Sequence, residues 1–289
     1  MKEIVFKIAG FYFRFIYLQD DYLHISGPIL AFITDSLPAD AQTNYITRID
    51  TSANLSPVGK IRYETPAWTW MDTEGYCIIR FHPDNHYIGY MTFVEGEDVF
   101  HTYVTKEDFS PQVLPISMMG FILQQVLNRH RSGLIMHGAT IDIQGKGVVL
   151  TGNSGVGKST LSSFMMQERN CRLLTDDRII VRDESIICAY GNPFDTKIRT
   201  SLNEKTVIAA IIFLRHGAAN QLTRIDHGQA LKELLTISLL SYGHKENLTK
   251  TFSLLTRMEQ TIPIYQYAFT PDQTGATYLL SQLFQDKII

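Results

Sequence analysis

The chain has 289 residues, a formal net charge of −3 and 45% hydrophobic residues. This length is enough for two domains of ordinary size or one large one, and the apolar fraction is enough for a sizeable core. So small a charge, with no basic cluster, excludes the long-range attraction to nucleic acid or to an anionic membrane that cationic proteins have. We therefore expect neither of these partners.

Three cysteines, Cys77, Cys171 and Cys188, stand far apart in the sequence. Their odd number and wide spacing argue against a disulfide framework and against a metal site. Lys7 and Arg14 interrupt the apolar N-terminal stretch too early for a signal sequence or a membrane span. These features favour a reducing compartment, and we expect a cytoplasmic protein that does not enter a membrane.

Residues 1–110 predict a β-rich domain. Two strands flank a turn near Gly10, and short apolar runs such as HISGPILAFI and GKIRYETPAWTW alternate with turn residues. Asp84-Asn85 lies between the apolar runs Cys77–Phe81 and Tyr87–Phe93, which is typical of a hairpin. No helical periodicity is evident in this part of the chain.

The pattern changes near Pro111–Pro115, where we place the start of a second domain, residues 111–289. An amphipathic helix opens after proline and is expected to close at Gly133. Two apolar strands then flank Gly145-Lys146 as a second hairpin. The remaining predicted elements are a helix from Lys158, strands over CRLLTDD and RIIVRD, a buried strand at Thr206–Arg215, helices around 228–241 and 245–260, a strand at Ile264–Phe269 and a last helix after Pro271. The predicted fold class is therefore α/β, with a mixed sheet in the second domain.

The stretch from Gly152 to Ser159 matches G-x-x-x-x-G-K-S, the pattern of a phosphate-binding loop. Its glycines allow a tight turn that aims backbone N–H groups at an anion, and the next helix adds its positive N-terminal dipole. Lys158 is expected to reach the β- and γ-phosphates, and the Ser159 hydroxyl to bind Mg²⁺. A chance glycine-rich turn is the alternative, but the flanking strand and helix argue against it. The predicted ligands are a nucleoside triphosphate and Mg²⁺, held by Gly152, Asn153, Ser154, Gly155, Val156, Gly157, Lys158, Ser159 and Thr160.

Asp176 and Asp177 end the strand that follows the loop's helix. A strand–helix–strand unit puts the carboxyl ends of both strands at one edge, so these acids are expected beside the phosphates. One of them would hold Mg²⁺ and the other would accept a proton from an incoming hydroxyl. The alternative is an acidic pair that caps a turn and faces solvent.

His137 and two later cations are further candidates. If Gln144 pairs with Gly147 in the hairpin, the ladder sets His137 opposite Ser154, where it bonds a phosphoryl oxygen or orients a carboxylate. A histidine satisfied within the core is an equal alternative. Lys197 and Arg199 follow a Gly-Asn-Pro turn and either stabilise charge on a transferring phosphoryl group or lie on a solvated strand edge.

A hairpin that leads into a phosphate-binding loop resembles the HPr kinase/phosphorylase and PEP carboxykinase group. The residues that carry the resemblance are HGATIDIQGKGVVLTGNSGVGKST, LLTDDRIIVRD and YGNPFDTKIRTS, within Leu134–Ser201. It implies an HPr-kinase-like domain that phosphorylates a serine hydroxyl with ATP. It also implies that His137 and one aspartate assist proton removal, while Lys158 and Ser159 hold the phosphates and Mg²⁺. By position, we assign Asp177 as the base and Asp176 as the metal ligand or a supporting partner.

Two departures limit the resemblance. Residues 1–110 do not look like the N-terminal domain of the HPr kinases, and the family's downstream glycine-rich motif is not found. HPr as the substrate and a phosphorylase activity are therefore left open. The general layout is closer to HPr-kinase-like proteins that phosphorylate a ribosomal precursor peptide, such as a lasso precursor. The HPr kinases form oligomers, so the resemblance also implies a homo-oligomer.

Several functions remain compatible with these residues. A kinase that acts on serine in a protein or peptide would use the β-rich domain to bind its substrate, through strand edges or through an apolar surface of Tyr63, Trp68 and Trp70. Aromatic residues in a β-rich region are more often core. A kinase of a small alcohol and a non-catalytic ATP-binding regulatory module are the alternatives. A PEP-carboxykinase-like decarboxylase fits least, since the chain is short and shows no set of Mn²⁺ ligands.

Overall fold

The computed structural model describes residues 2–18, 27–35, 37–38, 44–50, 58–105, 116–130, 133–168, 170–194, 201–240 and 245–289. Contacts divide the chain into two compact units, one of Met1–Arg129 with Tyr242–Lys245 and one of His130–Ser241 with Glu246–Ile289. Each unit contains a mixed sheet. The predicted α/β class is therefore confirmed.

The first unit is built on a nine-stranded sheet with the order β3-β1-β2-β4-β9-β8-β7-β6-β5. Its strands are β1 (Lys2–Ile8), β2 (Phe11–Tyr17), β3 (Ile33–Thr34), β4 (Asn44–Asp50), β5 (Lys60–Glu64), β6 (Trp68–Asp72), β7 (Cys77–Phe81), β8 (Gly89–Phe93) and β9 (Val99–Val104). The turn near Gly10 joins β1 to β2, and Asp84-Asn85 lies between β7 and β8; both predicted hairpins are confirmed. One expected strand is wrong, because Gly27–Phe32 within HISGPILAFI forms a 3₁₀ helix.

Helix α1 (Ile116–Arg129) packs on this sheet through Phe121. The Phe121 ring contacts four aromatic rings of the sheet, and ring centroids lie 5.7 to 6.2 Å apart. These rings belong to Trp68, Trp70, Phe81 and Phe93. The helix therefore belongs to the first unit, and the boundary falls after Arg129 rather than at 110. Gly133 begins a strand and does not close the helix.

Trp70 is 1% exposed, so the core interpretation holds for this ring. The buried positions of β2 alternate with partly exposed ones, as expected for a strand with one face on the core.

All three cysteines are buried and free, and burial raises the pKa of the Cys77 thiol to about 11. None of the helices among the described residues is long and apolar enough to span a membrane.

The second unit contains the strand order β10-β14-β15-β16-β12-β11-β13, and β18 joins β16 and β17. The strands are β10 (Gly133–His137), β11 (Ala139–Ile143), β12 (Lys146–Thr151), β13 (Cys171–Thr175), β14 (Arg178–Glu184), β15 (Ile186–Tyr190), β16 (Lys205–His216), β17 (Gln221–Arg224) and β18 (Ile264–Phe269). The helices are α2 (Lys158–Met165), α3 (His227–Ile237), α4 (Lys245–Thr261) and α5 (Gln273–Gln285). All the elements predicted after Gly145 are present, and β15 and β17 were not predicted.

Helices cover both faces of this sheet. Val149 packs on one face with Leu234 of α3 and Leu255 of α4. Its neighbour Val148 packs on the other face with Leu161 of α2 and Leu279 of α5. A strand buried on both faces needs apolar residues at every position, which explains the continuous apolar runs of β12 and β16.

Strand directions place the site. Strand β11 is antiparallel to both β12 and β13, so β12 and β13 run parallel to each other. Strands β16 and β18 also run parallel to β12. The carboxyl ends of these strands therefore meet at one edge of the sheet, where the phosphate-binding loop follows Thr151 and the acidic pair follows Thr175.

Candidate active site

The phosphate-binding loop has the backbone conformation that its glycines allow. Gly152, Gly155 and Gly157 have φ values of 140°, 78° and 100°, in the region that favours glycine. A β-carbon on Gly152 would lie 2.9 Å from the Leu214 carbonyl oxygen of β16. One on Gly157, the residue before α2, would lie 3.0 Å from the Phe269 ring. The loop is thus held tightly against the ends of β16 and β18, and substitution of these glycines is strained.

Lys158 and Ser159 begin α2 at the mouth of the loop. The Lys158 ammonium donates hydrogen bonds to the carbonyl oxygens of Gly152 at 2.9 Å and Asn153 at 3.1 Å, so the cation lies within the curve of the loop. The Ser159 hydroxyl donates to Oδ1 of Asp176 at 3.4 Å. A hydroxyl and a carboxylate side by side are oxygen ligands of the kind that Mg²⁺ takes, with phosphate and water oxygens completing its shell. These residues therefore fit the expected metal.

The acidic pair is fixed by a short turn between β13 and β14. The Thr175 hydroxyl donates to the Arg178 carbonyl oxygen at 3.0 Å, and the Gly138 N–H donates to the Asp177 carbonyl oxygen at 2.9 Å. Asp176 is directed to Ser159, whereas Oδ1 of Asp177 lies 3.1 Å from Nδ1 of His137. The two carboxylates therefore have different neighbours, one at the loop and one at an imidazole.

His137 lies at this edge of the sheet, but the strand pairing that places it there differs from the predicted hairpin register. Asp142, and not Gln144, pairs with Gly147, and the β11–β12 ladder ends at Ala139. Strand β10 pairs instead with β14, where His137 lies opposite Arg178. The predicted position of His137 opposite Ser154 is therefore wrong. Gly138 marks the break, since a β-carbon there would lie 2.9 Å from the Leu150 carbonyl oxygen.

The new position still joins His137 to the loop strand. Its carbonyl oxygen accepts a hydrogen bond from the Thr151 hydroxyl at 2.7 Å, at the end of β12. Its side chain is 41% exposed and that of Asp177 is 24% exposed, so both can meet a ligand. The histidine is not satisfied within the core, and its contact favours orientation of a carboxylate.

Two site predictions lie outside the described residues: Lys197 and Arg199 fall in 195–200. Arg178, which adjoins the acidic pair, is not among the residues predicted for the site. Arg178 lies opposite His137 on β14 and directly follows Asp177. Its position directly after the acidic pair is the sequence feature that could have indicated it, because it places a cation at the same edge of the sheet.

Comparison with known proteins identifies relatives of this part of the chain. Residues 131–201 match the family model described as HPr Serine kinase C-terminal domain. HPr kinase/phosphorylase of Lacticaseibacillus casei is 35% identical over 134 residues, covering 45% of this chain and 37% of that protein. HPr kinase/phosphorylase of Prosthecochloris aestuarii is 41% identical over 58 residues, covering 19% of this chain and 17% of that protein.

A solved structure, that of the Hpr(Ser) kinase/phosphatase from Coxiella burnetii, aligns at 14% identity with a TM-score of 0.32, covering 53% of this chain and 90% of that chain. The chain spans 37% or less of the length of the two curated relatives named above. The predicted resemblance is confirmed: residues 131–201 are similar to the C-terminal domain of the HPr serine kinases.

Proposed function

We propose that the protein is an ATP- and Mg²⁺-dependent kinase that transfers the γ-phosphoryl group to a serine hydroxyl of a protein or peptide. The observation that carries this proposal is the pairing of two carboxylates with two partners at one loop. Asp176 lies at the Ser159 hydroxyl and Asp177 lies at His137, both beside the phosphate cradle. The names of the relatives support the same class of reaction.

In this mechanism, the loop amides and Lys158 bind the β- and γ-phosphates. Ser159 and Asp176 would hold Mg²⁺, which would neutralise phosphate charge. Asp177 accepts the proton of the serine hydroxyl while the serine oxygen forms a bond to the γ-phosphorus. The bond from that phosphorus to the bridging oxygen of ADP breaks. His137 donates from Nδ1 to Asp177 and keeps the carboxylate oriented. The roles of Lys197 and Arg199 in stabilising charge stay predictions.

The acceptor distinguishes this proposal from its alternatives. A kinase of a small alcohol would use the same catalytic residues with another acceptor, and a regulatory module would bind ATP without transfer. We favour a protein or peptide acceptor because a separate β-rich unit accompanies the catalytic unit, and we assign to it the recognition of substrate. A homo-oligomer stays a prediction.

The direct test is transfer of label from γ-labelled ATP to serine-containing peptides and to HPr, read by mass spectrometry. Phosphoserine formed by the wild-type chain and absent with Asp177→Asn supports the proposal. ATP binding with no transfer to any protein, peptide or small alcohol would favour the regulatory module instead.

A further inference from the structure

The first unit carries a groove that the proposed catalytic chemistry does not use. The groove has a volume of about 780 Å³, and Tyr90 and Thr92 of β8 are among the residues that line it. On β9, Phe100, Thr102 and Val104 are buried, whereas Val99, His101 and Tyr103 alternate with them and line the groove. A volume of this size is enough for several side chains of a ligand.

One side of the groove is an aromatic platform. Tyr90 of β8 and Tyr103 of β9 are paired in register and their rings stack, with centroids 4.5 Å apart and an interplanar angle of 17°. Tyr76 is 45% exposed beside them. Such rings offer large apolar contact area with hydroxyl groups at the ends, which suits an apolar or aromatic side chain of a partner.

The other side of the groove brings together two groups that repel each other when charged. Arg48 of β4 lies directly opposite His101 of β9. Burial, and then the charge of Arg48, lower the pKa of His101. Within the part of the chain that the structure describes, the exposed side chain of Arg48 has no ion pair or hydrogen bond. Like charges directly opposite each other in a sheet are destabilising, and an anion between them removes the repulsion.

Glu97 also lines the groove and narrows the class of anion. A carboxylate at the rim repels a ligand of high negative charge, such as a nucleotide. A single carboxylate fits better, since a guanidinium binds it through two parallel hydrogen bonds. A polypeptide offers that carboxylate, a neighbouring apolar side chain for the platform and backbone N–H groups for Glu97.

We propose that this groove binds a peptide segment in which an acidic residue lies next to an aromatic or aliphatic one, and that this segment belongs to the phosphoryl acceptor. The second part rests on the proposed function, because a docking segment on the substrate has meaning only for a kinase of peptides or proteins. The first part stands without it, since binding needs no ATP.

The test is selection of a phage-displayed random peptide library on the immobilised full chain in the absence of ATP. We expect enrichment of peptides that carry Asp or Glu beside an aromatic or aliphatic residue. Their affinity, measured by fluorescence anisotropy, should fall about tenfold or more with Arg48→Glu, as expected for loss of a charge-assisted hydrogen bond. Lys7→Glu is the matched control, because Lys7 is an exposed cation of β1 outside the groove, and it should leave the affinity unchanged.

Arg48→Gln is the second variant, which keeps a polar side chain at the same exposed position if Arg48→Glu does not fold. Lys158→Ala should bind the peptides as the wild type does, which separates docking from catalysis. The proposal is overturned if no peptides are enriched, if they are basic, or if they bind Arg48→Glu equally well. Displacement of the peptides by inorganic phosphate would assign the groove to a phosphate ligand and would also overturn it.

Discussion

Nδ1 of His137 lies 3.1 Å from Oδ1 of Asp177, and this contact joins the end of β10 to the turn before β14. The two residues meet because their strands pair with each other, and the Gly138 N–H donates to the Asp177 carbonyl oxygen within the same turn. The contact supports a division of roles in which Asp177 receives a proton and His137 orients the Asp177 carboxylate.

Asp177→Asn should lower kcat by roughly 10²–10⁴-fold, the range for loss of a general base. The ATP affinity, measured by calorimetry, should stay unchanged because Asp176 and Ser159 remain in place. Asp286→Asn, an exposed acid after α5, is the matched control and should keep full activity. Wild-type turnover by Asp177→Asn would remove this residue from the role of base.

His137→Ala should lower kcat by less than Asp177→Asn does, about 10-fold to 100-fold, because the base remains and only its orientation is lost. His137→Gln, whose amide can still donate to the carboxylate, should recover part of the rate. Residues that act as a unit are strongly non-additive, so the double variant should be no slower than Asp177→Asn alone. Fully additive losses would show that His137 acts separately from Asp177.

Lys158→Ala should weaken ATP binding by about tenfold or more, since a charge-assisted contact to the phosphates is lost. Calorimetric titration with the nucleotide measures the loss directly. Lys146→Ala provides the comparison, because Lys146 is an exposed residue at the start of β12, the end remote from the loop. Equal affinities for the wild type and Lys158→Ala would contradict the assignment of the loop.

Phe121→Ala should destabilise the first unit by about 3 kcal/mol, near the lower end for loss of a packed phenylalanine. Both tryptophans of the chain, Trp68 and Trp70, contact the Phe121 ring, so denaturation followed by tryptophan fluorescence reports on this unit. Phe284→Ala, at a 50% exposed position on α5, should leave that transition in place. An unchanged midpoint for Phe121→Ala would separate α1 from the first unit.

The pKa of His101 should lie below its usual value of 6.5, because burial and then the charge of Arg48 disfavour the charged imidazole. Such a group favours folding while it is neutral, so its contribution is complete above pH 6.5 and is lost as the pH falls through the lower folded value. Arg48→Ala should raise the pKa part of the way toward 6.5 by NMR titration, and Lys7→Ala should not. A His101 pKa above the usual value would contradict the described environment.

The sequence was sufficient to predict the features that depend on local interactions. The glycine spacing of the loop, the turn at Gly10 and the doubly buried runs of β12 and β16 are consequences of backbone freedom and of periodicity. The position of Asp176 and Asp177 followed from the direction of two strands around a helix. These features were predictable without knowledge of distant contacts.

Other features depended on contacts between distant segments. The periodicity of α1 shows that one face is apolar but not which sheet covers it, so the boundary was placed before the helix rather than after Arg129. The position of His137 depends on where β10 leaves β11, at Gly138, and on its pairing with β14. A hairpin count along one ladder contains no information about a partner strand elsewhere in the chain.

The pairing of β10 with β14 makes the site sensitive to a shift in the register of these two strands. Sliding β10 by two residues along its neighbour would keep the same side chains facing the hydrophobic interior, since strands alternate with a period of two. The same slide would carry the imidazole about 7 Å from the carboxylate it contacts. Stability measurements alone would therefore miss such a misalignment, and only turnover would reveal it.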